Sequence, residues 1–283
     1  VSGTSRSPRQ AADFGAATVW IIDLDGVIWL TGEPIGDVAG AIADLRSHGV
    51  RVGFATNNSA PTTAELVARL DRIGIRADPD DLVSSAGAAA SLLQPGQRAH
   101  VLAEHGVLEA LAARGVEVVD AGTVAGHHDP APVDAVVVGW NRTFDFASLA
   151  AAATAARQAG RLIATNEDPT HPTPDGLMPG SGALLAAVAT ASGVTPEVAG
   201  KPHAPMAALM TERFGFEAGS DTVVMIGDQP RTDGALAARL DIPFGLVDSG
   251  VTPAGAANFD VPVDLRCADF VTLVRTALGQ STA

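Results

Sequence analysis

The sequence predicts an α/β fold: a mainly parallel sheet flanked by helices, with a second α/β domain inserted in the middle of the chain. Two observations lead there. Short apolar, β-branched runs alternate with amphipathic segments rich in Ala and Leu, and strand followed by helix, repeated, builds parallel βα units. The chain also holds more of these units than one modest sheet needs, so its 283 residues are expected to divide in two.

In chain order the strand-like runs fall at 18–24, 51–55, 133–139, 161–165, 222–227 and 244–247. Helical patterns occupy 38–47, 63–73, 148–158, 182–191, 206–214 and 232–240. The helix boundaries carry their own signals. Thr62 and Glu65 have the spacing of a capping box. Pro205 stands where a first turn tolerates proline. Gly49, Gly74, Gly160 and Gly193 stand where helices stop. The Pro- and Gly-bearing stretches 94–97, 125–133 and 169–182 read as loops, and the last is long enough to suggest a function. Residues 1–15 read as a flexible N-terminal tail without the apolar core of a signal peptide.

Composition removes several function classes. Hydrophobic residues make up 47% of the chain and charged residues 18%, a globular balance. A net charge of -14 without clustered Lys or Arg makes nucleic acid and anionic membrane poor partners. An anionic substrate would need positive charge supplied locally. Cys267 is the only cysteine, so no disulfide can form within these residues, which fits a reducing cytoplasm. No apolar run reaches the length of a membrane-spanning helix.

Four segments carry chemistry, each at the end of a strand-like run. In open α/β sheets ligands bind at the carboxyl ends of the strands. The first run ends in Asp23-Leu24-Asp25-Gly26-Val27. Two carboxylates one residue apart repel unless a cation or proton is shared. The plainer reading of the segment alone is a strand closing in an Asp-Gly turn, and it is the weaker of the two. The second ends in Thr56-Asn57-Asn58, neutral donors followed by a helix start, or simply a polar capping loop. The third is Gly200-Lys201-Pro202, a rare lysine that in isolation reads as a solvated surface residue. The fourth is Gly227-Asp228 with Asp233 five positions later at a helix start, where an acid also complements the helix dipole. Together the four supply carboxylates, a hydroxyl and a lysine. Without His or Cys among them, this hard-oxygen set suits Mg²⁺ better than zinc.

The order Asp-x-Asp-Gly-Val, Thr-Asn-Asn, Gly-Lys-Pro, Gly-Asp-x-x-x-Thr-Asp resembles the haloacid dehalogenase superfamily. More closely it is similar to the NagD-like, class IIA phosphatases, from about Thr18 onward. The stretches Asn166-Glu167-Asp168-Pro169 and Pro179-Gly180-Ser181-Gly182 share the resemblance. It implies a Rossmann-like core at 16–85 and 180–283, with an inserted α/β cap of the C2 type at 86–179. It also implies a Mg²⁺-dependent phosphatase for small phosphate esters, acting through an aspartyl phosphate. In that pattern Asp23 is the nucleophile, and Asp25 is the acid that later serves as base. Asp23, the backbone carbonyl of Asp25, and Asp228 bind Mg²⁺. Lys201 and Thr56 hold the phosphoryl oxygens, with Asn57 and Asn58 beside them. Asp233 stands behind the metal ligands or caps a helix near them. A homodimer formed through the cap is a further implication.

Beyond the motifs, His171 resembles a substrate-contacting histidine of pyridoxal phosphate phosphatases, although a Pro-flanked surface histidine is the plainer reading. His127, His128 and Asp129 have the residue types of a metal site, but a histidine pair in a Gly/Pro loop usually faces solvent. Cys267 reads as packing. A dehalogenase would have no use for the acid at Asp25. A phosphomutase would keep all four motifs, and a catalytically dead binding module on this fold is the reading from another class. The absence of GxGxxG after the first run argues against a dinucleotide site.

Overall fold

Most of the apolar runs are strands in the computed structural model, which describes residues 11–119, 132–173, 176–253 and 255–280. The chain opens with α1 (Ala11–Gly15), β1 (Val19–Ile22) and a small hairpin, β2 (Trp29–Leu30) and β3 (Glu33–Pro34). There follow α2 (Val38–Ser47), β4 (Arg51–Thr56), α3 (Thr63–Arg72), β5 (Leu82–Ser84) and α4 (Ser85–Ser91). Next come β6 (Arg98–Leu102), α5 (His105–Ala113), β7 (Glu117–Val118), β8 (Ala135–Val138), α6 (Phe146–Ala159) and β9 (Leu162–Ala164). A second hairpin, β10 (Thr170–Thr173) and β11 (Gly176–Pro179), leads to α7 (Ser181–Ser192), β12 (Pro196–Val198) and α8 (Ala204–Phe214). The chain ends with β13 (Val223–Gly227), α9 (Ala235–Leu240), β14 (Phe244–Val247), β15 (Leu265–Cys267) and α10 (Phe270–Ala277).

These elements pack as two compact units. The first comprises Val1–Ala55, Leu70–Leu82 and Met210–Ala283. Its strands lie in the order β15-β14-β13-β1-β4, with β1 between β13 and β4 and parallel to both. The residues of β13 and β14 are all buried, which explains why they read as continuous apolar runs instead of alternating ones. Gly53 in β4 is there for space: a Cβ would lie 2.4 Å from the Phe214 ring. Trp20 on β1 meets Phe14 and Phe270 edge-on, at ring separations of 6.3 and 6.5 Å. That contact corrects the expected 1–15 tail. Residues 11–15 form α1, anchored by the fully buried Phe14, while residues 1–10 lie outside the described residues.

The second unit comprises Thr56–Arg69 and Val83–Leu209. It has its own parallel sheet, β12-β9-β8-β6-β7. Its α6 begins with a capping box, Asp145 with Ser148, and stops at Gly160 in the left-handed conformation. The alanine face of α6 and Leu184, Leu185 and Val188 of α7 share one core with β8 and β9. This unit therefore reaches beyond the 86–179 expected for the cap, because α7 packs in its core and β12 extends its sheet. The stretch 169–182, read as a loop, contains the β10–β11 hairpin, with Thr170 paired to Pro179 and His171 to Met178. In a two-stranded ribbon each strand is an edge, where proline is tolerated. The expected helix 232–240 starts as a π-turn over Pro230–Gly234 and becomes α-helical only at Ala235. Most of the loop expected at 125–133 falls outside the described residues. Among the described residues no helix is long and apolar enough to cross a membrane.

Candidate active site

In the first unit, β1 and β13 run parallel in register, Ile22 beside Ile226, so their carboxyl ends lie side by side. Asp23 follows β1 and Asp228 follows β13. The π-turn then brings Asp233 back toward them, because its backbone N–H and that of Gly234 both donate to the Gln229 carbonyl, at 2.9 and 3.4 Å. One carboxylate oxygen from each of Asp23, Asp228 and Asp233 lies within 4.8 Å of the other two. Asp23 is 6% exposed, and Asp228 and Asp233 are fully buried. Three buried acids this close repel strongly unless a cation or shared protons offset the charge. The donor set is all hard oxygen, which fits Mg²⁺ and does not suit zinc or copper. Asp233, expected behind the metal ligands, places a carboxylate oxygen within 4.8 Å of those of Asp23 and Asp228.

Glycines make this crowding possible. Gly26 has φ +85°, and a Cβ there would lie 2.5 Å from an Asp228 oxygen. At Gly227 a Cβ would meet the Asp233 carboxylate at 2.2 Å. Hydrogen bonds orient the acids. The Val251 N–H donates to Asp228 Oδ2 at 2.6 Å, and the Gln229 N–H to Asp233 Oδ2 at 3.1 Å. Asp25 stands apart from the trio. Its half-buried carboxylate accepts a hydrogen bond from Trp29 Nε1 at 3.0 Å. The turn between them is tight, since the N–H groups of Val27, Ile28 and Trp29 all point at the Leu24 carbonyl.

The second unit holds the lysine. Lys201 is only 2% exposed, which overturns the surface reading of that residue taken alone. Its scaffold is Asn57, whose Oδ1 accepts from the Lys201 N–H at 2.8 Å. The Asn57 Nδ2 donates to the Lys201 carbonyl at 3.2 Å and to Asp168 Oδ2 at 3.0 Å. The Asn57 carbonyl in turn accepts from Ser85 Oγ and Asn166 Nδ2, both at 2.7 Å. Gly200 lets these strands of chain close up: a Cβ there would meet the Thr165 carbonyl at 2.4 Å. Thr56 is buried and its Oγ1 accepts from the Asn58 N–H at 3.0 Å, while Asn58 Oδ1 accepts from the Ala60 N–H at 3.2 Å. Both ends of the Asn57 amide therefore serve the chain, so Asn57 sets the lysine's backbone.

The remaining candidates are less involved. His171, in β10, lies 4.7 Å from the Trp140 ring, and Trp140 Nε1 donates to the Pro179 carbonyl at 3.0 Å. His127, His128 and Asp129 lie outside the described residues. Cys267 is half-buried, and burial raises its thiol pKa above the usual range, so it is a poor nucleophile. Sequence reasoning passed over Ser85, Asp248, Ser249 and Gly250, and weighed Arg266 only as a basic neighbour of Cys267. The last four surround the end of β14, where Asp-Ser-Gly after an apolar strand repeats the pattern of the recognised motifs.

Comparison with known proteins supports the same reading. A family described as haloacid dehalogenase-like hydrolase matches residues 20–117, and one described as HAD-hydrolase-like matches residues 198–273. The chain is 37% identical to a D-glycerol 3-phosphate phosphatase of Mycobacterium tuberculosis over 86% of its own length and 66% of that protein, just under two thirds. An acid sugar phosphatase of Staphylococcus saprophyticus is 31% identical over 82% of this chain and 87% of its own. Among solved structures, a glycerol phosphate phosphatase from Mycobacterium tuberculosis in complex with magnesium superposes with a TM-score of 0.80 at 31% identity, covering 95% of this chain and 78% of that one. With its motifs in the family's order, the chain belongs to the haloacid dehalogenase-like hydrolases, in the NagD-like branch whose named members here are phosphatases.

Proposed function

We propose that the chain hydrolyses phosphate monoesters of small polyols or sugars, with Mg²⁺ as cofactor and Asp23 as nucleophile. One observation carries this reading: Asp23, Asp228 and Asp233 are buried together with oxygens within 4.8 Å. The relatives named for D-glycerol 3-phosphate and acid sugars support the substrate class. The magnesium complex of the glycerol phosphate phosphatase supports the metal.

Asp23, Asp228 and the carbonyl of Asp25 would hold Mg²⁺, with Asp233 beside them. The bound metal supplies charge that offsets the repulsion between carboxylate and phosphate. A carboxylate oxygen of Asp23 attacks phosphorus and the ester P–O bond breaks. Asp25, oriented by the Trp29 indole, gives its proton to the departing alkoxide. Asp25 then takes a proton from water as that water attacks the aspartyl phosphate, and Asp23 leaves as a carboxylate. Lys201 and Thr56 hold the phosphoryl oxygens, and Asn57 fixes the backbone of Lys201. In this reading the catalytic residues come from 16–85 and 180–283, whichever packing unit holds them, and 86–179, with His171, selects the ester. A cytoplasmic location and a homodimer complete it, consistent with the lone Cys267 and the pairing common among capped members of the family.

The test is phosphate release from glycerol 3-phosphate, sugar phosphates, phosphoglycolate, pyridoxal phosphate and 4-nitrophenyl phosphate, with Mg²⁺ or EDTA. Turnover should require Mg²⁺ and vanish in Asp23→Asn. Activity surviving that substitution would overturn the assignment.

A further inference from the structure

The loop after β14 matches none of the four motifs, yet it touches both halves of the carboxylate site. Ser249 Oγ donates to the Gly26 carbonyl at 2.7 Å, tying the loop to the turn that follows Asp25. Gly250 packs so closely on Asp228 that a Cβ would lie 1.9 Å from Oδ2. The next N–H, that of Val251, makes the 2.6 Å bond to the same oxygen. A charge-assisted bond of this length fixes which way a carboxylate faces.

The loop is itself held from β15. Arg266 forks Asp248, with Nη2 at 2.8 Å and Nε at 3.0 Å from Oδ1, and Nε at 3.2 Å from Oδ2. Its Nη1 donates to the Ala256 carbonyl, and its guanidinium lies over the Phe259 ring at 5.7 Å. The Asp248 N–H donates to the Cys267 carbonyl at 3.1 Å. A planar fork on a carboxylate resists rotation in a way a single ammonium contact does not. The pair is too exposed to add much to stability, with side chains 29% and 21% accessible. Its geometric consequence is larger, because the clamped residue lies three positions before the N–H that orients Asp228.

We propose that Arg266, acting through Asp248 and the 248–251 loop, is a positioning residue for the metal site, and that Ser249 and Gly250 transmit its effect to Asp228. This rests on the Mg²⁺ reading above. Partners that orient metal ligands typically change metal affinity by about 10–100-fold when removed.

The experiment is calorimetric titration of Mg²⁺ into the full chain without substrate, alongside kcat as a function of Mg²⁺. The variants are Arg266→Ala, Arg266→Lys, Ser249→Ala and Gly250→Ala. Arg266→Ala and Gly250→Ala should weaken Mg²⁺ by about tenfold or more. Arg266→Lys should fall between wild type and Arg266→Ala, because it keeps charge but loses the fork. Ser249→Ala keeps the clamp and serves if Arg266→Ala does not fold; it should also weaken Mg²⁺ and regain most of its kcat at saturating metal. A lower unfolding temperature with unchanged Mg²⁺ affinity in all folded variants would reduce the clamp to a structural contact and overturn the inference. If wild type itself takes up no Mg²⁺, the functional reading fails together with it, an outcome distinct from tight wild-type binding and unaffected variants.

Discussion

Asn57 shows how much one side chain can settle. Its amide bonds the N–H and carbonyl of Lys201, and its own carbonyl gathers Ser85 and Asn166. Alanine at this position would remove all the side-chain bonds at once. Each lost partner of a sheltered polar group costs about 1–3 kcal/mol. Asn57→Ala should therefore lower the urea midpoint and reduce kcat/KM by about tenfold or more, since in the proposed mechanism Lys201 holds the phosphoryl oxygens and a small misplacement is expensive. Wild-type kcat/KM in a stably folded Asn57→Ala protein would show that Lys201 keeps its place without this brace. The type of residue was legible in Thr56-Asn57-Asn58, but its task was not. Only the fold brings position 57 to position 201.

Helix caps were the most readable local feature. The Thr62 N–H donates to Glu65 at 2.8 Å and the Glu65 N–H to Thr62 at 3.2 Å, as their spacing suggests. On α6, Asp145 accepts from the Ser148 N–H at 2.8 Å. That bond, with help from the Ser148 hydroxyl, lowers the Asp145 pKa below its ordinary value of 3.8. A lowered folded pKa means the stabilisation is fully present above the ordinary value and fades as pH falls through the folded one. Asp145→Asn keeps a capping oxygen but cannot ionise. Wild type should therefore be the more stable of the two at neutral pH, with the gap closing in acid; a gap independent of pH would rule out the ionised cap. Other elements were readable but were not read. The buried residues of α10, Phe270, Leu273, Val274 and Ala277, follow helical spacing in the sequence itself. Short strands such as β7 and β12 have no period to detect, because two or three residues cannot establish one.

At the scale of the molecule, the feature with the largest expected effect is the buried acidic trio in a chain of net charge -14. Mg²⁺ bound to the folded state alone adds RT ln(1 + [L]/Kd), about 2.7 kcal/mol at a hundredfold excess over Kd. Thermal unfolding should therefore shift upward with millimolar Mg²⁺ and downward with EDTA, and Asp228→Asn should blunt the response. A midpoint indifferent to both would leave the trio needing protons instead of a cation. The sequence by itself determined the fold class, the strand–helix alternation and the residue types of the four motifs. Local periodicity and residue type are written into the chain, and a family pattern needs only their order. Tertiary structure decided the rest. It buried Phe14 and so turned the end of the expected tail into a helix. It drew α7 and β12 into the second unit, placed a hairpin within 169–182, and brought Asp233 close to Asp23 and Asp228. It also revealed the loop after β14 as part of the carboxylate site. Those outcomes depend on which distant residues meet, and spacing along the chain does not encode contacts between positions 228 and 251 or 248 and 266.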